Sequence, residues 1–263
     1  MNSGSQQVMD LLLQMEQEEQ VCVLYACEAG SRAWGLDTED SDYDVRFIYQ
    51  RPLEQYLTLF EQKEVIVHPV GARIDLHGWD LKKALQLLGK SNPTLLEWLH
   101  SPVVYKEESH AVQQLRNIAL DSFSPKACFY HYYRMAKRNY EAYCREEQHE
   151  RRWKTLLAVW KPLLACGWLE RHGTFPPVGF KALAEEVLAS MPSLLQSVLE
   201  LGIRSKPSGY GYASMQAVGE MAVYIEGRLA HAEVAAESLP GVRGDMKEML
   251  EQFFKELVLG KMK

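Results

Sequence analysis

Positive charge is in short supply in this chain. Lys and Arg number 29 against 35 Asp and Glu, for a net charge of -6. That balance argues against a protein that coats nucleic acid through bulk charge. It leaves a small substrate, or a strand held in a local basic groove. Long hydrophobic runs are missing too. Leu11-Leu12-Leu13 is too short for a secretory signal, and Glu16, Glu18 and Glu19 follow it. No stretch approaches the roughly 20 apolar residues of a membrane span, so the expectation is a cytoplasmic protein with no membrane partner. The five cysteines, at 22, 27, 128, 144 and 166, include no Cys-x-x-Cys pair of the kind that holds zinc. Their number is odd, and Cys22 and Cys27 lie in an apolar run, so they read as reduced core residues. A P-loop is absent as well. Gly30 and Gly35 have its separation, but Leu36 stands where the lysine belongs. Internal repeats and low-complexity segments are also lacking.

What is present is a chain of 263 residues, 47 % hydrophobic, enough for one large domain or two modest ones. Periodicity predicts an amphipathic helix over 5–18, with Val8, Met9, Leu11, Leu12 and Met15 on its apolar side. Strand signals follow at Val21 to Cys27 and Tyr43 to Tyr49. Two more, Val65 to Val67 and Arg73 to His77, flank a turn at Pro69-Val70-Gly71. A helix is expected over 80–88, and Pro93 opens another. After about residue 120 the character changes. A long helix is expected from Pro125 to about Glu147, and another from Arg151 to about Arg171, kinked or broken at Pro162 and ending near Gly173. Further helices are expected near 178–189, 192–202, 213–236 and 243–258, with no strand signal of comparable strength among them. The expected fold class is therefore α+β, an α/β domain over 1–120 followed by an all-α domain over 121–263.

The chemistry concentrates at a few positions. Asp42 and Asp44 open a strand two residues apart, so they project from the same face, while Tyr43, Val45 and Phe47 turn to the core. Side-by-side carboxylates repel, and a bound Mg²⁺ is a reason for them to coexist. Asp75, alternating with Ile74 and Leu76, adds a third carboxylate if its strand lies beside the first. Three such acids can hold two metal ions. Gly30-Ser31 ends the preceding strand and introduces a helix start at Arg32-Ala33-Trp34. Ser31 is expected to cap that helix, and Gly30 to let phosphate approach the backbone. Arg32 is a candidate phosphate contact. Arg46 shares the face of the two acids, and either orients a carboxylate, touches a phosphate or forms an ordinary ion pair.

Gly30-Ser31, about ten residues, then Asp42-x-Asp44 resembles the signature of the polymerase-β nucleotidyltransferase superfamily. The longer strings Glu28-Ala29-Gly30-Ser31-Arg32-Ala33-Trp34-Gly35 and Asp40-Ser41-Asp42-Tyr43-Asp44-Val45-Arg46-Phe47-Ile48-Tyr49 resemble a narrower group. These are the RNA-ligase-associated polymerase-β-like proteins (RlaP, YcgL type). The likeness continues at 131–140 and at Lys161-Pro162-Leu163-Leu164-Ala165, with Lys161 where Arg is expected. It implies a small mixed sheet carrying the acids, a helical domain that binds the nucleotide, an NTP donor and Mg²⁺, or Mn²⁺ in its place. Between 126 and 161 nine basic residues accompany four acids, much of this a solvated helix face. Lys137 and Lys154 are the candidates there for triphosphate contacts.

The function expected on these grounds is Mg²⁺-dependent transfer of a nucleoside monophosphate from an NTP to an acceptor hydroxyl or phosphate. An RNA or DNA end is favoured over a small molecule or a protein. The alternative is a nucleotide- or nucleic-acid-binding regulator that keeps the fold without turnover.

Overall fold

Val8, Leu12 and Met15 recur at helical spacing, and they bury helix α1 (Ser3–Glu19) against a sheet. The structure, a computed structural model, describes residues 3–60, 62–70, 73–146, 149–204, 215–241 and 246–261. Gln20, at φ 53°, turns the chain from α1 into strand β1 (Cys22–Glu28). A single helical turn, α2 (Gly30–Trp34), leads to β2 (Tyr43–Gln50) and the short α3 (Leu53–Tyr56). Then come β3 (Val65–Val70), β4 (Ile74–Asp80), α4 (Leu81–Leu88), α5 (Pro93–Leu99), β5 (Val104–Glu107) and α6 (Ser109–Asp121).

The strands form one five-stranded sheet in the order β3-β4-β2-β1-β5. Only β2 and β4 run parallel, so the sheet is mixed. One face packs on α1 through Val23, Ala26, Val45, Phe47, Tyr49, Ile66 and Leu76. Gly78 belongs to that face because Phe47 needs the room, as a Cβ there would sit 2.1 Å from the Phe47 ring. On the other face Trp79 stacks on Trp98 of α5 at 3.9 Å, and the Tyr25 hydroxyl donates to the Trp98 carbonyl at 2.7 Å.

The remaining helices are α7 (Pro125–Arg145), α8 (His149–His172), α9 (Phe180–Val187), α10 (Pro192–Arg204), α11 (Met215–Glu237) and α12 (Lys247–Val258). The protein is thus α+β, one mixed sheet and twelve helices among the described residues. By contacts it divides into a unit of Met1–Ala33, Glu39–Phe123 and Arg243–Lys263, and a second of Trp34–Thr38 and Ser124–Val242. The last helix, α12, packs on α4 and α6 of the first unit.

In the second unit α8 runs through Pro162. A proline has no N–H for the carbonyl four residues earlier, here Ala158. Asn139 on α7 supplies the missing donor, its side-chain amide reaching the Ala158 carbonyl at 2.8 Å. Lys161 beside the proline is 5 % exposed, and its ammonium lies 4.2 Å from the centre of the Trp34 ring. Gly173 ends α8 in the left-handed conformation (φ 62°).

Several expectations need correction. β5 and α6 were not anticipated. The expected turn at Pro69-Val70-Gly71 does not begin where it should, because β3 continues to Val70, and residues 71 and 72 lie outside the described ones. Asp80 closes β4 and caps α4, accepting from the Lys82 N–H at 2.8 Å, and so precedes the helix it was expected to begin. α7 stops at Arg145, and Glu147 lies outside the described residues. Cys22 is exposed at the start of β1, whereas Cys27 is buried.

Candidate active site

Parallel pairing of β2 and β4 sets Asp44 directly beside Asp75, with Arg46 beside His77 one step along the same face. Neighbouring strands lie about 4.8 Å apart, so the two carboxylates would repel across the gap. Arg46 reaches into it. Its guanidinium donates to Asp75 Oδ2 at 2.9 Å and to Asp44 Oδ1 at 3.3 Å. The acid side chains remain 37 % and 47 % exposed, so solvent and solutes reach both. Burial pushes the Asp44 carboxyl above its ordinary range. Arg46 pulls the other way, and the charges of Asp75 and Asp42 add to the rise. His77 is held below the ordinary imidazole value, by burial first and by Arg46 second.

Asp42 precedes β2 by one residue and is exposed. Among the described residues no three His, Cys, Asp or Glu side chains stand close enough to hold a metal ion. The expected convergence of three acids is therefore not a ready-made cluster. Asp42 lies outside the ladder that aligns the other two, and a guanidinium stands between those.

Gly30, the first residue of α2, meets Asp44 just beyond the end of β1. It adopts φ 61°, and a Cβ there would lie 2.1 Å from Asp44 Oδ2. The missing side chain is the space the Asp44 carboxylate uses. Ala29 N–H donates to the Asp44 carbonyl at 2.8 Å, tying the Gly-Ser segment to the acid strand. Ser31 does not precede α2 as a cap but lies inside it as the second residue. One turn of helix carries little dipole, so any phosphate held there would rely on local N–H groups.

Arg32 is turned toward the protein. Its guanidinium donates to the carbonyls of Ser41 (2.6 Å) and Asp42 (3.2 Å) and lies 4.0 Å from the centre of the Tyr43 ring. In this structure it braces the loop that carries Asp42. Lys137 and Lys154 are exposed on α7 and α8 in the second unit.

Two residues went unread as contributors to the site. Glu28, 1 % exposed at the end of β1, accepts the Asp44 backbone N–H at 2.6 Å on one oxygen and the Tyr105 hydroxyl on the other. Burial pushes its carboxyl up to about 7 against the pull of these hydrogen bonds. A charged residue closing the apolar run Val23-Leu24-Tyr25-Ala26-Cys27 was the available signal. Tyr105 lies on β5, which was itself unexpected.

As a donor set, the carboxylate oxygens of Asp44 and Asp75, with exposed Asp42 nearby in the chain, suit a hard cation such as Mg²⁺. The cradle at Gly30 and the half-open acids fit that use, with Arg46 as the resident counter-charge.

A family model described as RlaP, RNA repair pathway DNA polymerase beta family, matches residues 5–256. The chain is 38 % identical over 253 residues to a Bacillus subtilis (strain 168) protein named Uncharacterized protein YcgL, covering 96 % of each. It also aligns with the crystal structure of a nucleotidyltransferase-like protein from Exiguobacterium sibiricum 255-15. That match has 13 % identity over 97 % of this chain and 89 % of the other, with a TM-score of 0.38, too loose to carry an inference. Among the described residues no helix is long and apolar enough to cross a membrane. The first two matches run along nearly the whole chain, which makes it a member of the RlaP family, the DNA polymerase beta family of the RNA repair pathway.

Proposed function

We propose that this protein transfers a nucleoside monophosphate from an NTP to an acceptor hydroxyl or phosphate, with an RNA end as the first acceptor to test. Its family description, which names RNA repair, supports that choice of acceptor. The observation that carries the reading is the register of Asp44 beside Asp75 across a parallel strand pair, with Gly30 vacating the space next to Asp44. Surface ion pairs need neither feature.

In this proposal Asp42, Asp44 and Asp75 hold Mg²⁺, or Mn²⁺. The metal would neutralise the triphosphate and lower the pKa of the attacking hydroxyl. Gly30 and Ser31 offer backbone N–H groups to phosphate oxygens. Arg46 offsets one of the two negative charges of the acid pair until a cation takes its place at one or both carboxylates. Arg32 holds the Ser41-Asp42 segment in register. The nucleotide contacts expected of Lys137 and Lys154 belong to the same proposal, and Lys137→Ala and Lys154→Ala should each raise KM for NTP. A cytoplasmic setting, where NTP and RNA coexist, completes it.

The contact of Arg46 with both acids also suits the alternative, a regulator that binds nucleotide without turnover. Incubation with each labelled NTP, Mg²⁺ and short RNA separates the two. The proposal expects label on the RNA from wild type and none from Asp44→Asn. Tight NTP binding with no transfer to any RNA, DNA or extract component would favour the regulator.

A further inference from the structure

Glu28 is a costly residue to keep where it is, because its carboxylate is 1 % exposed. A buried carboxylate is tolerated only where its oxygens are hydrogen-bonded, and here both are. Oε1 accepts the Asp44 N–H at 2.6 Å and Oε2 accepts the Tyr105 hydroxyl. Its backbone is fixed as well, with its N–H donating to Val103 O at 2.9 Å and its carbonyl accepting from Ser101 Oγ at 2.6 Å. Three strands therefore meet at one side chain, with Glu28 on β1, Asp44 on β2 and Tyr105 on β5.

The effect falls on Asp44. Its N–H is held by the Glu28 carboxylate and its carbonyl by the Ala29 N–H, so both faces of its backbone are anchored to the segment that carries Gly30. Asp44 cannot slide along β2 or rotate away without breaking one of these bonds. Its carboxylate is thereby kept in the space Gly30 leaves.

We propose that Glu28, braced by Tyr105, is a positioning residue that holds the backbone of Asp44 so that the Asp44 carboxylate stays aimed at the cation and phosphate site. This rests on the reading of Asp44 as a metal-holding acid. Glutamine can perform the same task, because its carbonyl oxygen accepts from Asp44 and its amide donates to the Tyr105 oxygen. Alanine cannot.

The test is Mn²⁺ affinity, measured by electron paramagnetic resonance titration in the presence of ATP. It compares wild type, Glu28→Ala, Glu28→Gln, Tyr105→Phe and Asp44→Asn, each checked for folding by circular dichroism. Kinetics on the labelled-NTP reaction run in parallel. Glu28→Ala should bind Mn²⁺ about 10-fold or more weakly, the usual cost of removing a group that orients a metal ligand. It should lower kcat with little change in KM for NTP. Glu28→Gln should restore affinity, and Tyr105→Phe should lose less than Glu28→Ala. Where Glu28→Ala fails to fold, the contrast of Tyr105→Phe with Glu28→Gln carries the test.

Folded Glu28→Ala with wild-type Mn²⁺ affinity, while Asp44→Asn has lost it, overturns the role of Glu28 and leaves that of Asp44 standing. The role of Glu28 is likewise overturned if Glu28→Gln is as impaired as Glu28→Ala, or if Tyr105→Phe matches wild type in the absence of a folded alanine variant. Wild type and Asp44→Asn binding Mn²⁺ equally overturns both readings at once.

Discussion

The two ends of strands β2 and β4 carry the same kinds of side chain put to opposite uses. At the far end Arg51 faces Asp80, Nε to Oδ2 at 3.7 Å, with the side chains 9 % and 4 % exposed. Gln55 and the Lys63 carbonyl accept from the Arg51 guanidinium and Tyr56 donates to Asp80, while the buried Arg51 Nε has the ion pair but no hydrogen bond. One cation meets one anion, and both are almost fully buried. At the near end Arg46 meets two anions, Asp44 and Asp75, both substantially exposed. The near end keeps a surplus carboxylate in reach of solvent, which is what a site needs if it is to receive a cation. The difference lies in stoichiometry and access rather than residue type.

The sharpest way to expose that difference is to cut the buried pair. Asp80→Ala leaves Arg51 buried without its anion and also removes the cap of α4. Breaking such a pair costs roughly 3–5 kcal/mol, which urea unfolding would read. Specific activity per folded molecule should be kept.

A second effect is pH-dependent and belongs to the apo protein. Glu28 titrates at about 7 in the fold, against about 4.3 for a free Glu. A raised value means the protonated form is the one the fold favours. Its stabilising contribution is complete below the unfolded value and is lost as pH rises to about 7. In chelator, wild type should lose stability relative to Glu28→Gln between about pH 4.5 and 7, on the order of 3 kcal/mol, at about 1.4 kcal/mol per tenfold change in proton affinity. Parallel pH profiles for the two proteins would contradict this.

At the open end the readout reverses. Asp44→Asn or Asp75→Asn should leave stability unchanged or improved, since repulsion is removed, while transfer falls by at least ~10²-fold. An unfolded variant, or near-wild-type turnover, would erase the contrast between the ends.

The smallest effect lies in the second unit, where Asn139 saturates the Ala158 carbonyl released by Pro162. Asn139→Ala should cost about 1 kcal/mol, the net worth of one part-buried hydrogen bond. Restoring the helical donor with Pro162→Ala should reduce that cost, as a double-mutant cycle would show.

Much of this was legible in the residues alone. Alternation placed Asp44 and Arg46 on one face and Val45 and Phe47 on the other, and the sheet confirms it. Helical periodicity found α1, and the prolines at 93 and 125 marked helix starts. What stayed hidden depends on pairing across distance. β5 has only four residues and little burial of its own, so alternation had nothing to report. The α6 pattern of Ala111, Val112, Leu115, Ile118 and Ala119 was there to be read. Periodicity could not show that Arg46 spans two acids, that Arg32 turns back to the Ser41 and Asp42 carbonyls, or that Glu28 holds the Asp44 amide. Each is a contact whose direction is set by register and burial, not by local pattern. Asn139 and Pro162 stood in separate strings of the sequence, and only helix packing joins them.

The most direct test of the account is a calorimetric titration of NTP into wild-type protein with Mg²⁺ and again with chelator. If Asp44 and Asp75 are the open, cation-receiving end of the sheet, NTP binds far more tightly with Mg²⁺, and Asp44→Asn abolishes the difference. Equal affinity in Mg²⁺ and in chelator would contradict the account, and leave Arg46 as the only cation those acids serve.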